Sequence, residues 1–289
     1  MRSKEPQLAT HRFQTDDERE AIQTPETSKI YQRKPITLPS SLCKPSLRAY
    51  FNWDDKGNDD YAKRPALLDL FSGGGGAGMG YYLAGFRIVG VDINPQKNYP
   101  FGFHQADALT YPLEGFDVIH ASPPCQFYSY GTPDKSKHAG NIPEVRSMLE
   151  KSGVPFVIEN VPGSPLNASV RICGCQVGLP KIKRVRYFEI SIPLALKLMP
   201  ACNHNSPVIT VTGHGTTSGN RKTWGRNIKI SEMREAMGIA WTNRNELSQA
   251  IPPAYTEFIG KQLIEPIANA LFSGAGFLAS TGRDCYVSI

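Results

Sequence analysis

The sequence predicts an α/β fold with a mostly parallel, doubly wound sheet and a small irregular lobe. Short apolar runs recur at residues 66–71, 87–91, 116–121 and 155–158, and helical stretches such as Ile142–Ser152 separate them. Strands that alternate with helices at this spacing form βαβ units, in which the strands pair in parallel. The lobe is predicted because this alternation does not continue to the C-terminal end.

These patterns divide the chain into five parts. Residues 1–62 mix charges, Pro and Ser without an apolar period, which predicts a partly irregular N-terminal extension. Residues 63–190 carry the alternating strands and helices and form the predicted main domain. Residues 191–230 are rich in Pro, Gly, Thr and Asn, which predicts the small lobe. Residues 231–272 return to helical periodicity and are expected to complete the main domain, and residues 273–289 form a tail.

The composition is that of a globular protein, with 40% hydrophobic and 20% charged residues in a chain of 289. No run of about 18 apolar residues is present and the first residues are polar. We therefore expect a cytoplasmic protein with neither a membrane span nor a signal peptide. Without an export signal, its six cysteines are expected to be reduced thiols.

Positive charge is concentrated in one segment of the chain. The net charge is +6, and ten Lys or Arg residues lie between Arg171 and Ile230 against one acid, Glu189. A basic stretch of this kind favours a polyanionic partner.

A glycine-rich turn follows the first predicted strand, at 71–76 (FSGGGG). The next strand ends at Asp92, about 20 residues further on, where an acid can accept hydrogen bonds from ribose hydroxyls. A further short strand is predicted between Asp92 and Asp107, and the Asp107 carboxyl after it can reach an adenine amino group. The turn indicates a nucleotide-type cofactor or, alternatively, a purely structural turn. No Lys followed by Ser or Thr comes after the glycines, which argues against a nucleoside triphosphate.

Three more strand ends carry chemically useful side chains. A stiff Pro-Pro turn presents Cys125, although a single cysteine is more often a small buried hydrophobe. Glu159 follows the strand at 155–158, where it is a candidate acid or a simple surface charge. Arg184 and Arg186 open a later strand, where arginines bind phosphate, clamp a carbonyl oxygen or face solvent.

Taken in order, these motifs resemble the motif series of the DNA cytosine-5 methyltransferases, in particular the compact members of bacteria and their phages. The resemblance runs from about residue 66 to 267. It implies a Rossmann-like fold of the S-adenosylmethionine (SAM)-dependent methyltransferases, SAM as the cofactor and 63–190 as the SAM-binding catalytic domain. The motifs that carry it are DLFSG at 69–73 with Gly75, Asp92, PPCQ at 123–126, ENV at 159–161, RVR at 184–186 and QAIPP at 249–253.

The resemblance also implies roles for these residues. Cys125 would add to carbon 6 of a flipped-out cytosine, Glu159 would act at ring nitrogen 3, and Arg186 with Arg184 would hold the carbonyl oxygen. The implied cofactor-binding residues are Phe71, Ser72, Gly73, Gly75, Asp92, Ile93, Asp107, Ala108 and Pro123. The implied substrate-binding residues are Pro124, Gln126, Asn160, Arg221, Arg226 and Gln249.

The lobe at 191–230 is interpreted as the target-recognition region. The expected substrate is duplex DNA, and the protein is expected to be a monomer associated with the nucleoid. With only about 40 residues, the lobe predicts a short or relaxed target sequence. A restriction endonuclease partner, and with it a role in restriction-modification, stays open. Two positions depart from the family pattern: Ile182 stands where Gln is frequent, and Ser248-Gln249 where Gly-Asn is expected.

Four further side chains have a possible role in metal binding. Cys173, Cys175, Cys202 and His204 can in principle form a four-ligand zinc site. The spacing of one residue within each pair is tighter than in the usual zinc knuckle, and Cys173 falls on an apolar run where burial explains it. We therefore assign no metal.

Three other functions compete with DNA methylation. The same chemistry on RNA, as in the tRNA-methylating branch of the family, is poorly separated by sequence. A catalytically silent SAM-fold protein that only binds DNA would have no need of Cys125, Glu159 and Arg186 together. A nucleotide-level enzyme that also adds a cysteine to carbon 6 would use folate and would lack the glycine turn.

Overall fold

In the computed structural model, a seven-stranded sheet runs through the described part of the chain, which is residues 61, 63–194, 199–213 and 217–273. The predicted extension, apart from Tyr61, and the predicted tail, apart from Ser273, lie outside the described residues. The strands are β1 (Ala66–Leu70), β2 (Arg87–Asp92), β3 (Gly102–Gln105), β4 (Val118–Ala121), β5 (Phe156–Asn160), β6 (Val170–Ile172) and β7 (Arg186–Ile190).

The strand order is β3-β2-β1-β4-β5-β7-β6. Strands β1 to β5 pair in parallel, which confirms the predicted mostly parallel, doubly wound sheet. Strand β7 runs antiparallel to both β5 and β6. A parallel return usually needs a crossover helix. Only a 3₁₀ turn, Gly174–Val177, lies between β6 and β7.

Six α-helices accompany the sheet in the same described residues: α1 (Gly76–Ala84), α2 (Ile142–Ser152), α3 (Ser218–Trp224), α4 (Ile230–Met237), α5 (Arg244–Gln249) and α6 (Pro253–Ser273). The sequence patterns do not reveal α3 and α5, which are too short for a clear apolar period. Both begin at a side-chain cap, Thr217 for α3 and Asn243 for α5. None of the described helices has the length and apolar character needed to cross a bilayer.

Apolar clusters cover both faces of the sheet. Leu67 of β1 belongs to a cluster with the inner faces of α1 and α6, whereas its neighbour Leu68 belongs to a second cluster with Val145 and Leu149 of α2. Successive side chains of a strand point to opposite faces, so this division is the signature of a doubly wound sheet. Every residue of β1 is accordingly buried.

The segment predicted as a lobe is tied to the first of these clusters. Ile209 and Ile228 are buried in it, and Trp224 packs against it while its indole Nε1 donates a hydrogen bond to the Val208 carbonyl at 3.0 Å. Apart from α3, the described residues from 191 to 229 are irregular, as their Pro, Gly and Asn content predicts.

The packing of α1 on α6 offers a test of the fold. A Cβ atom at Gly80 would overlap Thr256 Oγ1 and the Pro253 carbonyl oxygen. We expect Gly80→Ala to lower the free energy of unfolding by about 3 kcal/mol or more, because backbone atoms of α6 cannot yield locally. Urea denaturation measures this. Gly102→Ala is the control, since the nearest atom to its Cβ lies 4.0 Å away. Equal free energies for the two variants would contradict the described packing.

Candidate active site

A cavity of about 700 Å³ lies at the carboxyl edge of the parallel strands. Its volume is within the usual range for small-molecule sites, and this edge is where open α/β sheets bind ligands. It is lined by fifteen of the nineteen predicted site residues, so one cavity brings together motifs that are far apart in sequence. These are Phe71, Ser72, Gly73, Asp92, Ile93, Asp107, Ala108, Pro123, Pro124, Cys125, Gln126, Glu159, Arg184, Arg186 and Gln249.

The glycine turn forms one end of this cavity. Phe71 and Gly73 have positive φ angles of 56° and 47°, which turn the chain sharply between β1 and α1. The Gly73 N–H donates to Asp92 Oδ2 at 3.0 Å, and the Asn94 N–H donates to Asp92 Oδ1 at 2.9 Å. Asp92 therefore holds the turn in place and keeps free lone pairs on both oxygens for a ligand.

Gly75, a predicted cofactor residue, lies at the start of α1. It caps α1 with φ 80° and does not line the cavity. A Cβ here would lie 2.6 Å from Pro100 Cδ and 3.0 Å from the Tyr99 ring. The absence of a side chain thus permits close packing against the segment before β3, and contact of Gly75 with the cofactor stays a prediction.

The loop after β4 presents Cys125 to the cavity. The carbonyl oxygen of Cys125 accepts hydrogen bonds from the N–H groups of Tyr128 and Ser129, at 3.0 and 2.9 Å. Asn160 Nδ2 donates to the Pro123 carbonyl at 2.9 Å from a fully buried position. The Asn160 side chain thus braces the loop and does not line the cavity, and a direct contact of Asn160 with the substrate stays a prediction.

The antiparallel pairing of β5 and β7 joins Glu159 to Arg186. Glu159 ends up buried at the carboxyl edge of β5, and Arg186 starts β7 beside it. Arg186 Nε lies 2.9 Å from Glu159 Oε1, although this contact lacks the alignment of a hydrogen bond. Burial raises the pKa of Glu159, and the nearby charges of Arg186 and Arg184 oppose this only in part. The carboxyl is thus prepared to hold a proton.

Arg184 is fixed from the C-terminal part of the chain. Its guanidinium Nη2 donates to the Ser248 carbonyl at 2.6 Å, and the Tyr255 hydroxyl donates to the Arg184 carbonyl. Burial lowers the pKa of Arg184 to about 9, so the side chain is still a cation at neutral pH.

The same surroundings control the Cys125 thiol, which is partly buried. Burial raises its pKa, Arg186 and Arg184 lower it, and the Glu159 carboxylate raises it. The thiol is therefore mostly protonated in the free protein. A proton on Glu159 removes the negative charge and leaves two guanidinium groups to favour the thiolate.

Sequence reasoning missed Asp69 as a site residue. Its carboxyl is buried, lines the cavity and accepts a hydrogen bond from the Tyr99 hydroxyl at 3.0 Å. Burial raises its pKa to about 8. An acid inside the apolar run ALLDLF was the available sign, since a buried carboxyl needs a partner or a function.

A buried polar chain behind Glu159 was also missed. The Tyr81 hydroxyl lies 3.1 Å from His120 Nδ1, His120 Nε2 lies 2.7 Å from Ser122 Oγ, and the Ser122 hydroxyl hydrogen-bonds Glu159. Burial lowers the pKa of His120 to about 3, so its ring is neutral. This chain orients the Glu159 carboxyl from below the cavity floor.

Helix α5 closes the cavity over the glycine turn. Glu246 accepts two hydrogen bonds from Asn98 Nδ2, at 3.0 and 3.1 Å, and this links α5 to the segment before β3. The sequence sign was the spacing of Asn243 and Glu246, a capping box at the start of a helix. The cavity residues from this region are Asn243, Asn245, Glu246, Ser248, Gln249, Ala250 and Ile251.

Arg221 and Arg226 lie outside the cavity. Both are exposed, Arg221 on α3 and Arg226 just after it. Arg226 forms a two-pronged ion pair with Glu232, with N···O distances of 2.8 and 2.6 Å, which lowers the pKa of Glu232 to about 2. Arg221 Nε donates to Asn227 Oδ1 at 3.2 Å. Neither side chain lines the cavity, so neither contacts a ligand inside it. Exposed cations at the surface are suited to a macromolecular partner.

Buried polar atoms without a partner are concentrated in the cavity wall. Among the described residues, eight buried side-chain N or O atoms lack a hydrogen-bond partner, and five belong to residues that line the cavity. Because native proteins leave few such atoms unpaired, this concentration indicates that the cavity wall hydrogen-bonds water or a polar ligand. The five atoms are Asp69 Oδ1, Ser72 Oγ, Gln126 Oε1, Glu159 Oε1 and Arg184 Nε.

Comparison with known proteins gives structural relatives only. No family model matches the sequence. No curated protein sequence matches it either. A solved E. coli structure, described as a DNA modification methyltransferase encoded within a prophage, is 16% identical with a TM-score of 0.52, covering 71% of this chain and 99% of that one.

Two further solved structures are more distant. The S. pombe Dnmt2 methyltransferase is 14% identical, with a TM-score of 0.49 and coverage of 71% of this chain and 99% of that one. The Entamoeba histolytica methyltransferase EhMeth is 14% identical, with a TM-score of 0.47 and coverage of 72% and 99%.

The likeness to the prophage protein concerns the fold, since the identity is low. Strand order, the glycine turn after β1 and the antiparallel β7 agree with a Rossmann-like sheet of the methyltransferase type. The described chain thus has the Rossmann-like fold of the SAM-dependent methyltransferases, as the sequence predicts.

Proposed function

We propose that this protein is a SAM-dependent DNA (cytosine-5-)-methyltransferase. One observation carries the proposal: a single cavity holds a cysteine thiol, a buried carboxyl and two guanidinium groups at one end and the glycine turn with Asp92 at the other. This is the set of groups that activation of a cytosine ring requires, next to a place for a nucleoside cofactor. The likeness in fold to a prophage protein described as a DNA modification methyltransferase adds support.

The residues around the glycine turn fit SAM. Asp92 retains lone pairs for ribose hydroxyls, and Asp107, held by the N–H of Leu109 at 3.0 Å, lines the cavity where an adenine amino group would bind. Asp69 Oδ1 is a buried acceptor without a partner in the described structure and suits the ammonium group of the methionine part. When bound, SAM supplies an electrophilic methyl group on a sulfonium.

Cys125 has the first chemical role in this proposal. Carbon 5 of cytosine is a weak nucleophile, so the Cys125 thiolate adds to carbon 6 and forms a C–S bond. The electron pair of the 5,6 double bond then becomes available at carbon 5, which would take the methyl group as the S–CH₃ bond of SAM breaks and S-adenosylhomocysteine is left. Loss of the carbon 5 proton to water and release of the thiolate restore the aromatic ring. The stiff Pro123-Pro124 turn, braced by Asn160, keeps the sulfur at the cavity wall.

Glu159 and the two arginines stabilise the charge that this addition produces. A protonated Glu159 donates a hydrogen bond to ring nitrogen 3, which burial of the carboxyl favours. Arg186 and Arg184 hold the carbonyl oxygen at carbon 2 and favour the thiolate. The chain from Tyr81 through His120 and Ser122 keeps the Glu159 carboxyl in its orientation.

The target cytosine has to leave the duplex to reach this cavity, at a cost of a few kcal/mol. Two side chains of the loop after Cys125 suit contact with an opened duplex, because Phe127 and Tyr130 are 40% and 83% exposed. The proposed target-recognition region, 191–230, contributes exposed cations such as Arg221 and Lys222 on α3. Arg226 would have to exchange Glu232 for a phosphate.

Covalent trapping tests the central step. Incubation with SAM and duplex DNA that contains 5-fluorocytosine is expected to give a denaturation-resistant protein–DNA adduct, because fluorine on carbon 5 blocks the final elimination. Gel electrophoresis under denaturing conditions measures the adduct. Cys125→Ser is expected to give none, whereas Cys285→Ser makes the same change in the predicted tail, keeps the thiol at Cys125 and is the matched control.

The nucleic acid is varied in the same assay. A pool of duplex DNA with varied sequence is compared with tRNA that carries the same base analogue. Adduct on tRNA alone would replace DNA by RNA as the substrate, and no adduct on either would overturn the cytosine-5 assignment.

The pH dependence tests the pairing of acid and thiol. The active form needs the Cys125 thiolate and a protonated Glu159. Between the two pKa values, the thiolate fraction rises about tenfold per pH unit while protonated Glu159 falls by the same factor, so kcat/KM stays on a plateau and decreases on both sides. Glu159→Gln cannot lose a proton. We expect a lower kcat/KM that rises with pH through the neutral range, with the alkaline decrease abolished; an unchanged bell shape would contradict the role of Glu159.

The glycine turn is tested by cofactor affinity. Asp92→Asn replaces one acceptor oxygen by an NH₂ group, which breaks a backbone contact of the turn and a ribose contact. We expect the Kd for SAM, measured by calorimetry without DNA, to rise about 10- to 100-fold. Glu114→Gln removes an exposed carboxylate outside the cavity and is expected to leave the Kd unchanged. If Asp92→Asn and the unmodified chain bind SAM with the same Kd, Asp92 has no part in cofactor binding.

A further inference from the structure

Three thiols and one imidazole converge outside the active-site cavity. Cys173 caps the 3₁₀ turn Gly174–Val177 after β6, and Cys175 lies within that turn. Cys202 and His204 come from the irregular segment after β7. All four ligand atoms lie within 4.8 Å of one another. None of these residues lines the cavity of the proposed reaction.

The distances match a tetrahedral metal site. His204 Nε2 lies 3.4 Å from Cys173 Sγ, 3.6 Å from Cys175 Sγ and 3.1 Å from Cys202 Sγ. The sulfurs of Cys175 and Cys202 are 3.4 Å apart. With Zn–S near 2.3 Å and Zn–N near 2.0 Å, a tetrahedron has edges of about 3.8 Å between sulfurs and about 3.5 Å between sulfur and nitrogen. These four distances lie within about 0.4 Å of those lengths, and the two sulfur pairs that include Cys173 lie within 4.8 Å.

The tight spacing within each pair is resolved by the local backbone. Cys173 is extended, with φ −121° and ψ 151°, and the chain then turns at once into the 3₁₀ turn, so that both thiols meet His204. In the second pair, the Asn205 N–H donates to Asn203 Oδ1 at 3.0 Å. This bond forms a turn at residues 203–205, around His204 and next to Cys202. The two sequence features against a metal, the tight spacing and the apolar run around Cys173, are therefore compatible with a four-ligand site.

Gln176 joins the two halves of the cluster independently of any metal. Its Oε1 accepts from the Cys173 N–H at 2.9 Å, and its Nε2 donates to the Pro200 carbonyl at 2.9 Å. One bond is to Cys173 itself, and the other is to Pro200, two residues before Cys202. Gln176 therefore holds the two pairs of side chains near each other without a metal. Hydrogen bonds from residues that surround the ligands are typical of metal sites in proteins.

The charge of the cluster selects among ions. Three thiolates and a neutral imidazole around Zn²⁺ leave one net negative charge, and the Arg171 guanidinium hydrogen-bonds Cys202 to offset it. Soft sulfur ligands with one nitrogen in a tetrahedron favour zinc over the hard cations Mg²⁺ and Ca²⁺. With four protein ligands, no position stays open for water or substrate, which is the arrangement of a structural site.

A disulfide between Cys175 and Cys202 is the main competitor. Their sulfurs are 3.4 Å apart, well beyond the bond length of about 2.05 Å. A disulfide would also leave Cys173 and His204 without a role, although their atoms converge on the same point. The joint convergence of four ligand atoms is explained by a metal and not by a single S–S bond.

We propose that Cys173, Cys175, Cys202 and His204 bind one structural Zn²⁺ ion that fixes the start of the 199–230 segment to the sheet beside β6. The 3₁₀ turn also packs against α6, so the ion links that segment to the main domain. Zinc therefore stabilises the fold around the lobe and takes no part in methyl transfer.

Metal analysis of the purified full-length chain, made without a polyhistidine tag, tests this. We expect about one zinc per chain by mass spectrometry of the metal, and less than a tenth of that in Cys202→Ser. Cys125→Ser makes the same chemical change in the active-site cavity and is expected to keep its zinc. Zinc bound equally by both variants would overturn the ligand assignment.

Two measurements on the unmodified chain keep the proposal testable if Cys202→Ser does not fold. Replacement of the metal by Co²⁺ is expected to give the intense visible bands of tetrahedral thiolate coordination, and chelation is expected to lower Tm. A chain that takes up no zinc or cobalt under reducing conditions, or that yields a Cys175–Cys202 disulfide in peptide mapping before any oxidant is added, would contradict the site. None of these readouts depends on methyltransferase activity.

Discussion

In β5 and β7, which run antiparallel, Glu159 pairs with Phe188 and Asn160 with Tyr187, so Arg186 enters its strand beside the carboxyl end of β5. This register brings an acid and a guanidinium to within 2.9 Å of each other at the edge where the parallel strands also end. A shift of β7 by one residue would send its side chains to the opposite face of the sheet. The register therefore controls the chemistry of the whole cavity.

Burial of ionisable groups at this edge lowers the stability of the fold, but it also raises the pKa of Glu159, which is the direction that the proposed chemistry needs. Asp69, Glu159 and Cys125 all have raised pKa values because water is excluded, and burial lowers the pKa of Arg184. Unpaired polar atoms in the same wall would be unfavourable in a purely structural core. A polar ligand with donors and acceptors at matching positions removes that penalty. This explains why the buried, unpaired polar groups are concentrated in one cavity.

Local signals made much of the site predictable. A glycine turn after an apolar strand and a Pro-Pro-Cys turn after another depend on few residues, so their place at the strand ends follows from the chain itself. For Gly75 and Asn160 the structure shows packing against Pro100 and support of the Cys125 loop, which are contacts between segments that the motifs do not reveal. The polar chain from Tyr81 to Glu159 and the closing helix α5 depend on contacts between distant segments, which periodicity does not reveal.

The sequence by itself determined the parallel α/β sheet, the glycine turn and the side chains at the strand ends, because each follows from apolar periodicity and turn chemistry over a few residues. Only the tertiary structure decided which of those side chains meet. The antiparallel β7, the burial that shifts each pKa and the convergence of Cys173 with His204 all join residues that are remote along the chain. Such contacts result from packing of the complete chain, so no local pattern encodes them.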